Sequence, residues 1–317
     1  MKDPIDACLH RLLARLQRQR PLRSGSLLMS ILGDAIAPRG GRVTLGSLIH
    51  LAQPLGLPER LVRTSVARLA QEGWLGARRS GRTSEYALTS QGRRRFLAAT
   101  RRIYGARAHS WHRRWTLVLV APSPSPERRE RLRQELHWLG FGQFAPEVFA
   151  HPSLDGAQLH ARLAEAGIKS PVTLLQARSA QARDDRRLAR SGWDLAELAR
   201  AYRRFVAAFT PLAAALRSGA VPTPKLAFVA RTLLIHEYRK IHLRDPELPD
   251  VLLPEEWVGA AAYELCAELY RALFRAAERH LDLAARRLKG ALPAAASEAR
   301  GRFARRGRAR IRSDSRG

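Results

Sequence analysis

Cysteine is almost absent from this chain, and its scarcity excludes two classes of small protein. Only Cys8 and Cys266 occur in 317 residues, far apart and in segments with helical patterning. Two such residues provide neither a disulfide framework nor a cysteine-based zinc site. The chain also lacks the run of about 18 apolar residues that indicates a membrane-spanning helix. Its first twenty residues carry early acidic side chains and no long apolar stretch, unlike a secretory signal. We therefore expect a reducing, cytoplasmic location and no membrane partner.

Acidic residues are also scarce. The chain has 28 Asp and Glu against 56 Lys and Arg, which gives a formal net charge of +28. Such an excess repels itself unless a polyanion is bound, and nucleic acid is the commonest polyanionic partner. The abundance of Arg and Ala with little Lys is equally typical of a genome rich in G and C. Charge alone therefore does not identify the partner. The hydrophobic content of 45% indicates a globular protein, and the length allows two or three domains.

Catalytic signatures are missing as well. The sequence has no glycine-rich phosphate loop, no G-x-S-x-G and no Cys/His constellation. HEYRKIH superficially resembles a zincin helix, but His236 and His242 are six positions apart, whereas that motif needs histidines four apart. Asp184 and Asp185 are adjacent carboxylates on a charged segment, which is typical of a solvated helix cap. We predict no catalytic residue, no metal and no cofactor. A metal-dependent nuclease using Asp184 and Asp185 is the enzymatic alternative.

The first third of the chain has the pattern of helices followed by a hairpin. Pro58 at the start and Gly73 at the end delimit one helix, as expected from the usual asymmetry of helix ends. Two short alternating segments around a Ser-Gly turn follow it. Helices are expected at 24–36, after residue 45, at 57–73 and at 90–107, with the hairpin at 74–89. Three helices followed by a hairpin are the order of a winged helix-turn-helix.

The rest of the chain divides into three parts. The β-α-β-α-β pattern of residues 108–182 predicts a ferredoxin-like α+β domain. Residues 183–288 are helical almost throughout, with long helices expected at 194–216, 224–243 and 260–281. Residues 289–317 are rich in arginine and are expected to be a disordered basic tail, and residues 1–23 form a leader. The fold class is α+β multidomain: a winged helix-turn-helix at residues 24–107, a ferredoxin-like middle domain and a helical domain for effector binding and dimerisation.

The helix expected at 57–73 separates apolar from cationic residues on a wheel of roughly 100° per residue. One side contains Leu61, Val62, Ser65, Val66 and Leu69. The other contains Arg60, Arg63, Thr64, Ala67, Arg68 and Gln71. The hairpin tip that follows adds Arg78, Arg79 and Arg82. By itself, such a helix is typical of an ordinary solvated surface. Together, the helix and the tip predict DNA binding, with Arg60, Arg63, Thr64 and Arg68 in the major groove and the tip on phosphates.

A second cluster lies in the segment LLIHEYRKIHLRDPELPDVLLPEEW, residues 233–257. Its candidate residues are His236, Tyr238, Arg239, Lys240, His242, Arg244 and Trp257. Apolar walls with convergent cations suit an anionic ligand that has an apolar part. The alternative is that the His and Tyr side chains are satisfied interior groups and that the cations form a solvated face. We treat residues 236–245 as a hypothetical effector site.

With these residues in view, the chain resembles the PaaX family of transcriptional repressors of phenylacetate catabolism. The segments that carry the resemblance are GDAIAPRGGRVTLGSLI (33–49), ERLVRTSVARLAQEGWLGARRSGRTSEYALTSQG (59–92), ELHWLGFGQFAPEVFAHP (135–152) and LLIHEYRKIHLRDPELPDVLLPEEWVG (233–259). The resemblance extends from about residue 24 to residue 283. It implies the three domains described above and a homodimer that binds double-stranded operator DNA. It also implies release from that DNA by phenylacetyl-CoA or a related acyl-CoA.

Two other hypotheses remain beside a ligand-responsive repressor. The first is a non-specific nucleic-acid-binding protein whose basic tail supplies most of the affinity through counterion release. The second is the metal-dependent nuclease that uses the central domain. Deletion of the tail separates the first hypothesis from a sequence-specific repressor, and a divalent-metal nuclease assay tests the second.

Overall fold

The computed structural model describes residues 4–18, 24–105, 111–121, 125–165, 167–168 and 172–303. Its helices and strands follow one another in three blocks. The first block contains α1 (Pro4–Gln17), α2 (Ser24–Ile31), β1 (Arg42–Thr44), α3 (Leu45–Ala52), α4 (Glu59–Gln71), β2 (Leu75–Ser80), β3 (Thr83–Leu88) and α5 (Ser90–Tyr104). The second contains β4 (Trp115–Val120), α6 (Pro126–Trp138), β5 (Gly142–Ala145), β6 (Val148–His151), α7 (Gly156–Glu165) and β7 (Val172–Ala177). The third contains α8 (Ala182–Gly192), α9 (Leu195–Arg217), α10 (Pro224–His242), α11 (Gly259–Ala284), β8 (Arg286–Arg287), β9 (Gly290–Ala291) and α12 (Ser297–Arg300). The predicted mixture of helices and sheets is confirmed.

The first block is built around a small antiparallel sheet in the order β1-β3-β2. The helix predicted at 24–36 is α-helical only to Ile31 and continues as one π-helical turn over Leu32–Ile36. Helix α4 starts after Pro58, and the chain leaves it through Gly73, whose φ of +74° glycine adopts without strain. Strands β2 and β3 then pair over six residues around a turn at Gly81.

The second block has the order β-α-β-β-α-β, because the extended stretch at 141–152 folds as the hairpin β5–β6 rather than as a single strand. Its antiparallel sheet runs β5-β6-β4-β7. Helices α6 and α7 cover one face, where Leu132 and Leu159 pack on Val118 and Phe149. This arrangement fits the predicted ferredoxin-like domain. The other face packs through Trp115 against residues of α8 and α9.

The third block is helical, as the long apolar periodicities predict. Helices α9, α10 and α11 pack on one another, and one continuous core joins them to the first block. Helix α1 belongs to that core, since its apolar stripe is buried against α9 and α10. The buried residues of that stripe are Ile5, Cys8, Leu9, Leu12 and Leu16. Residues 4–17 of the predicted leader are therefore an integral helix. Among the described residues, no helix combines the length and apolar character needed to cross a bilayer.

The structure contradicts the prediction of disorder for residues 289–303. Strand β8 lies beside β1. The backbone N–H of Leu288, which follows β8, donates to Glu85 Oε1 of β3 (2.8 Å). Helix α12 follows, and the side chains of Arg302 and Phe303 are buried. The composition was misleading because Arg302 binds a buried carboxylate and Phe303 packs among four tyrosine rings. The neighbouring residues in sequence do not reveal these contacts. The rest of the predicted tail, residues 304–317, lies outside the described residues.

Buried His151, at the end of β6, makes the free energy of unfolding depend on pH. Its Nδ1 accepts hydrogen bonds from the backbone N–H groups of Ser153 (3.0 Å) and Leu154 (2.8 Å). Burial and the nearby Arg102 lower the pKa of His151 to about 4, against the opposing effect of Glu247. The ring is therefore neutral in the folded protein near pH 7.

We expect the His151 ring to reduce stability as the solution is acidified. An unfolded chain takes up this proton near pH 6.5, so between 6.5 and about 4 it binds more protons than the folded chain. The free energy of unfolding should fall by about 3 kcal/mol across that window through this group. Urea unfolding of the wild type and of His151→Gln, near neutral pH and at about pH 4, measures it. The same pH-dependent loss in both proteins would contradict the assignment.

Candidate nucleic-acid interface

Helix α4 turns one face to the core and the other to solvent. Val62, Ser65, Val66 and Leu69 are buried. The four predicted DNA-binding residues of this helix, Arg60, Arg63, Thr64 and Arg68, are exposed. Leu61, which the helical wheel placed on the apolar side, is 37% exposed at the margin between the faces. The buried face fixes the helix on the domain, so the cationic face is presented in one orientation.

Weak local interactions hold the arginines of this face. Arg63 pairs with Glu59 at 2.6 Å and Arg68 with Glu72 at 2.7 Å, each one helical turn away. Exposed pairs of this kind are worth about 0.3–0.5 kcal/mol. These pairs therefore break at little energetic cost, and a phosphate or a base edge can replace the carboxylate.

The predicted hairpin tip follows this helix in the chain and is exposed. Arg78, Arg79 and Arg82 are all exposed around the turn at Gly81. Arg78 stands opposite Glu85 in the strand register, but the carboxylate of Glu85 is buried and accepts from the backbone of Leu288. That carboxylate is thus engaged inside the protein. The tip presents three guanidinium groups to solvent.

Thr89 joins the hairpin to the helices on either side of it. Its hydroxyl donates to the carbonyl of Gly73, directly after α4, at 2.6 Å. The same oxygen accepts from the N–H of Gly92 in the first turn of α5 (2.9 Å). Trp74 packs edge-on against Phe96, with Arg95 over its ring at 4.8 Å. The base of the hairpin is therefore attached to both α4 and α5. We call the exposed arginines of α4 and of the hairpin tip the cationic surface.

Two of the predicted effector residues of α10, His236 and Arg239, contact α2. His236 is 2% exposed, and its Nδ1 lies 3.0 Å from Ser30 Oγ. Arg239 donates to the same hydroxyl (2.7 Å) and to Ser26 Oγ (2.8 Å). Burial, aided by Arg239 and Lys240, holds the pKa of His236 well below its usual value, so the ring is neutral. We name these contacts the α2–α10 seam; they attach the first block to the helical third block.

The C-terminal end of α10 forms a second junction, around His242. Its Nδ1 lies 3.1 Å from the Tyr202 hydroxyl and 3.3 Å from that of Tyr238. Its Nε2 lies 2.9 Å from the carbonyl of Arg102, in the last turn of α5. Arg102 in turn donates to the carbonyls of Trp138 (2.7 Å) and Asp245 (3.0 Å). This Arg102 junction joins all three blocks.

The remaining predicted effector residues lie around these two junctions. Lys240 is half-buried and pairs with Glu237 at 3.2 Å. Arg244 is exposed, and Trp257 packs edge-on against Tyr202 with 5.9 Å between ring centroids. The structure thus brings His236, Tyr238 and His242 into the interior, and leaves Arg244 at the surface. That an effector touches any of these residues stays a prediction.

Sequence reasoning missed a buried ionic cluster behind the interface. Asp34 is buried in the π-helical turn after α2, and Arg231 of α10 lies 3.0 Å from its Oδ2. Arg302 donates to Asp34 Oδ1 at 2.8 Å, and the hydroxyl groups of Tyr104 and Tyr270 donate to the same oxygen. Burial raises the pKa of Tyr104 well above its usual value, so its hydroxyl remains a donor. Two features of the sequence could have revealed this cluster: an acidic residue within the mainly apolar segment SLLMSILGDAI and an arginine within the mainly apolar segment LAFVARTLLI.

The adjacent carboxylates of the nuclease alternative have separate environments. Asp185 is buried and accepts from the Trp115 indole (2.8 Å), from the Ser179 hydroxyl and from Arg113. Burial opposes ionisation, but these hydrogen bonds outweigh it and lower the pKa of Asp185. Asp184 instead pairs with Arg187. Across the described ranges, no group of three or more His, Cys, Asp or Glu residues is placed to hold a metal ion.

Comparison with known proteins identifies the class. Three family models match in order: PaaX-like protein at residues 23–92, PaaX protein central Cas2-like domain at 108–189 and PaaX-like protein C-terminal domain at 193–283. The chain is 37% identical over 281 residues to the transcriptional repressor PaaX of Escherichia coli, covering 87% of this chain and 89% of that protein. An uncharacterised protein of Mycobacterium tuberculosis has a similar structure, with a TM-score of 0.46, 24% identity, and coverage of 73% of this chain and 88% of that one.

These matches define a multidomain protein related to a transcriptional repressor, which supports a regulator rather than an enzyme. The chain belongs to the PaaX family. The resemblance drawn from the sequence segments is thereby confirmed.

Proposed function

We propose that this protein is a DNA-binding transcriptional repressor of phenylacetate catabolic genes and that its residues 24–105 act as a winged helix-turn-helix. The observation that carries the proposal is the cationic surface formed by the exposed arginines of α4 and of the β2–β3 tip, with Val62, Ser65, Val66 and Leu69 buried on the opposite side of α4. Similarity to the repressor of Escherichia coli supports the regulatory role.

The two parts of this surface suit different tasks. A helix enters the major groove, where an arginine fork pairs with the O6 and N7 atoms of guanine. Arg60, Arg63, Thr64 and Arg68 are the residues of α4 that reach outward for this purpose. The hairpin tip, with Arg78, Arg79 and Arg82, grips phosphates, which sets position and affinity but carries no sequence information.

The proposal includes an effector and a second copy of the chain. An acyl-CoA such as phenylacetyl-CoA lowers operator affinity to the extent that it binds the DNA-incompetent arrangement more tightly than the DNA-binding one. By the same linkage, bound DNA weakens effector binding by the same factor. In a homodimer, the two reading helices must match half-sites about 34 Å apart. The α2–α10 seam and the Arg102 junction are the contacts whose rearrangement changes that spacing.

Selection of binding sites from a random DNA pool, followed by mobility-shift titration, tests the function. We expect a selected site to bind at least about a thousandfold more tightly than a scrambled one, as specific regulators do. Phenylacetyl-CoA added to the complex should release the DNA. Equal affinity for the selected and scrambled DNA would refute a sequence-specific repressor. If phenylacetyl-CoA leaves the protein–DNA complex intact, the proposal that it is the effector is refuted.

The high net charge favours one alternative, a non-specific nucleic-acid-binding protein. The structure defines where the basic tail must be cut to test it. Deletion of residues 304–317 removes arginines without touching the buried Arg302 and Phe303. We expect this variant to keep its stability and its preference for the selected site, because α4 and the hairpin tip remain.

Deletion from residue 297 onward is the matched comparison. It also removes Arg302 and Phe303, so we expect a large loss of stability, measured by urea unfolding, besides any change in DNA binding. Loss of binding to the selected site after the shorter deletion alone would favour the non-specific alternative.

A further inference from the structure

A groove in the central domain combines an apolar wall with charged side chains. It lies between α6 and the β5–β6 hairpin, is partly open to solvent and has a volume of about 240 Å³. An engineered cavity of about 150 Å³ binds benzene, so this volume holds an aromatic ring with room for a short linker. The groove is therefore large enough for an aryl-acetyl group.

The lining combines an apolar base with cations. Val120, Leu132 and Phe149 contribute to the buried core of the domain and also line the groove. Arg129 and Arg133 stand one helical turn apart on α6 and line it too, with Glu130 paired to Arg133. The charged side chains thus sum to one positive charge beside an apolar wall. This chemistry suits a ligand with a flat apolar part and an anionic part.

We propose that this groove is the effector site. The aryl or acyl group packs against Val120, Leu132 and Phe149, and the phosphates of the coenzyme moiety extend to Arg129 and Arg133. The inference rests on the proposed function and locates the effector of that function. It differs from the hypothetical site at residues 236–245, whose histidines and Arg239 already make internal contacts with Ser30, Tyr202 and Tyr238.

Helix α6 connects the groove to the DNA-facing block. Its first half lines the groove, and its last residue, Trp138, accepts the hydrogen bond from Arg102 of α5. The Arg102 guanidinium also lies over the Trp138 ring at 5.5 Å. Helix α5 is capped at its N-terminus by Thr89, whose hydroxyl also donates to the carbonyl of Gly73 after α4. A ligand that displaces α6 therefore acts on the nucleic-acid interface through the Arg102 junction.

The experiment uses two variants that remove equal charge from the same helix. Arg129→Ala/Arg133→Ala changes the groove, whereas Arg128→Ala/Arg131→Ala changes exposed residues of α6 outside it. Calorimetric titration of the full chain with phenylacetyl-CoA, coenzyme A alone and phenylacetate measures binding directly. Mobility shift on the selected DNA measures release. We expect the groove variant to bind phenylacetyl-CoA at least about tenfold more weakly, and the control variant to bind it like the wild type.

The two free compounds separate the parts of the ligand. Binding of phenylacetyl-CoA well above that of either fragment supports a groove that uses both the ring and the phosphates. Equal phenylacetyl-CoA affinity in the groove and control variants overturns the location. If the wild type binds the selected DNA but none of the three compounds, the groove inference and the effector fail while the DNA-binding function stands. If the wild type binds ligand but no specific DNA, the repressor function fails and the comparison of the two variants still decides the site.

Discussion

Replacement of Asp34 by alanine is expected to lower the free energy of unfolding by about 3–5 kcal/mol, because it leaves buried charges without a partner. Arg231 is fully buried beside this carboxylate, and Arg302 is buried against it from the end of the described chain. Glu278 still neutralises Arg231 at 2.7 Å, whereas the partners that Arg302 keeps among the described residues are neutral and include the Tyr270 hydroxyl. The desolvated Arg302 is the main source of the expected loss.

Urea unfolding compares Asp34→Ala with a variant of an exposed ion pair. Arg217→Ala breaks the surface pair with Glu268, and such pairs are worth about 1 kcal/mol or less. Adding Arg302→Met to Asp34→Ala should restore part of the stability, since it removes the uncompensated charge and keeps an apolar side chain. If Asp34→Ala costs no more than Arg217→Ala, the cluster does not hold the C-terminal segment to the first block.

Replacement of Arg63 by alanine is expected to cost about 1–3 kcal/mol of affinity for the selected DNA and much less for random DNA. Replacement of Arg79 should weaken binding to both DNAs alike and reduce the slope of affinity against salt by about one unit. The reason is position: Arg63 lies on the exposed face of α4, which the proposed function places against base edges, and Arg79 lies beside the turn of the hairpin. The comparison tests whether Arg63 contributes sequence specificity while Arg79 contributes affinity for any DNA.

Mobility-shift titrations at several salt concentrations provide the measurement. Arg187→Ala is the matched control, because it removes the same charge from α8, which lies outside the α4 and hairpin surface. It should leave the ratio of specific to random affinity unchanged. Equal losses on both DNAs for Arg63→Ala as well as for Arg79→Ala would contradict base reading by α4.

The local pattern of the chain was sufficient for most of the secondary structure. The helices expected at 194–216 and 224–243 are observed at Leu195–Arg217 and Pro224–His242. The exposed arginines of α4 were also predicted correctly, because a 3.6-residue period and a Pro-to-Gly boundary are properties of neighbouring residues. The π-helical continuation of α2 and the division of the β5–β6 stretch into two strands were not evident from periodicity.

The partners of the polar side chains were decided by the tertiary structure. His236 and Ser30 are 206 positions apart, and Arg302 and Asp34 are 268 apart. A basic or aromatic segment looks the same in sequence whether its side chains face solvent, a ligand or a buried carboxylate. The cationic surface could therefore be predicted from residues 57–82 alone, since it is built from elements that are adjacent in sequence. The seam, the ionic cluster and the groove could not, because burial and pairing across the chain determine which charges remain available to bind.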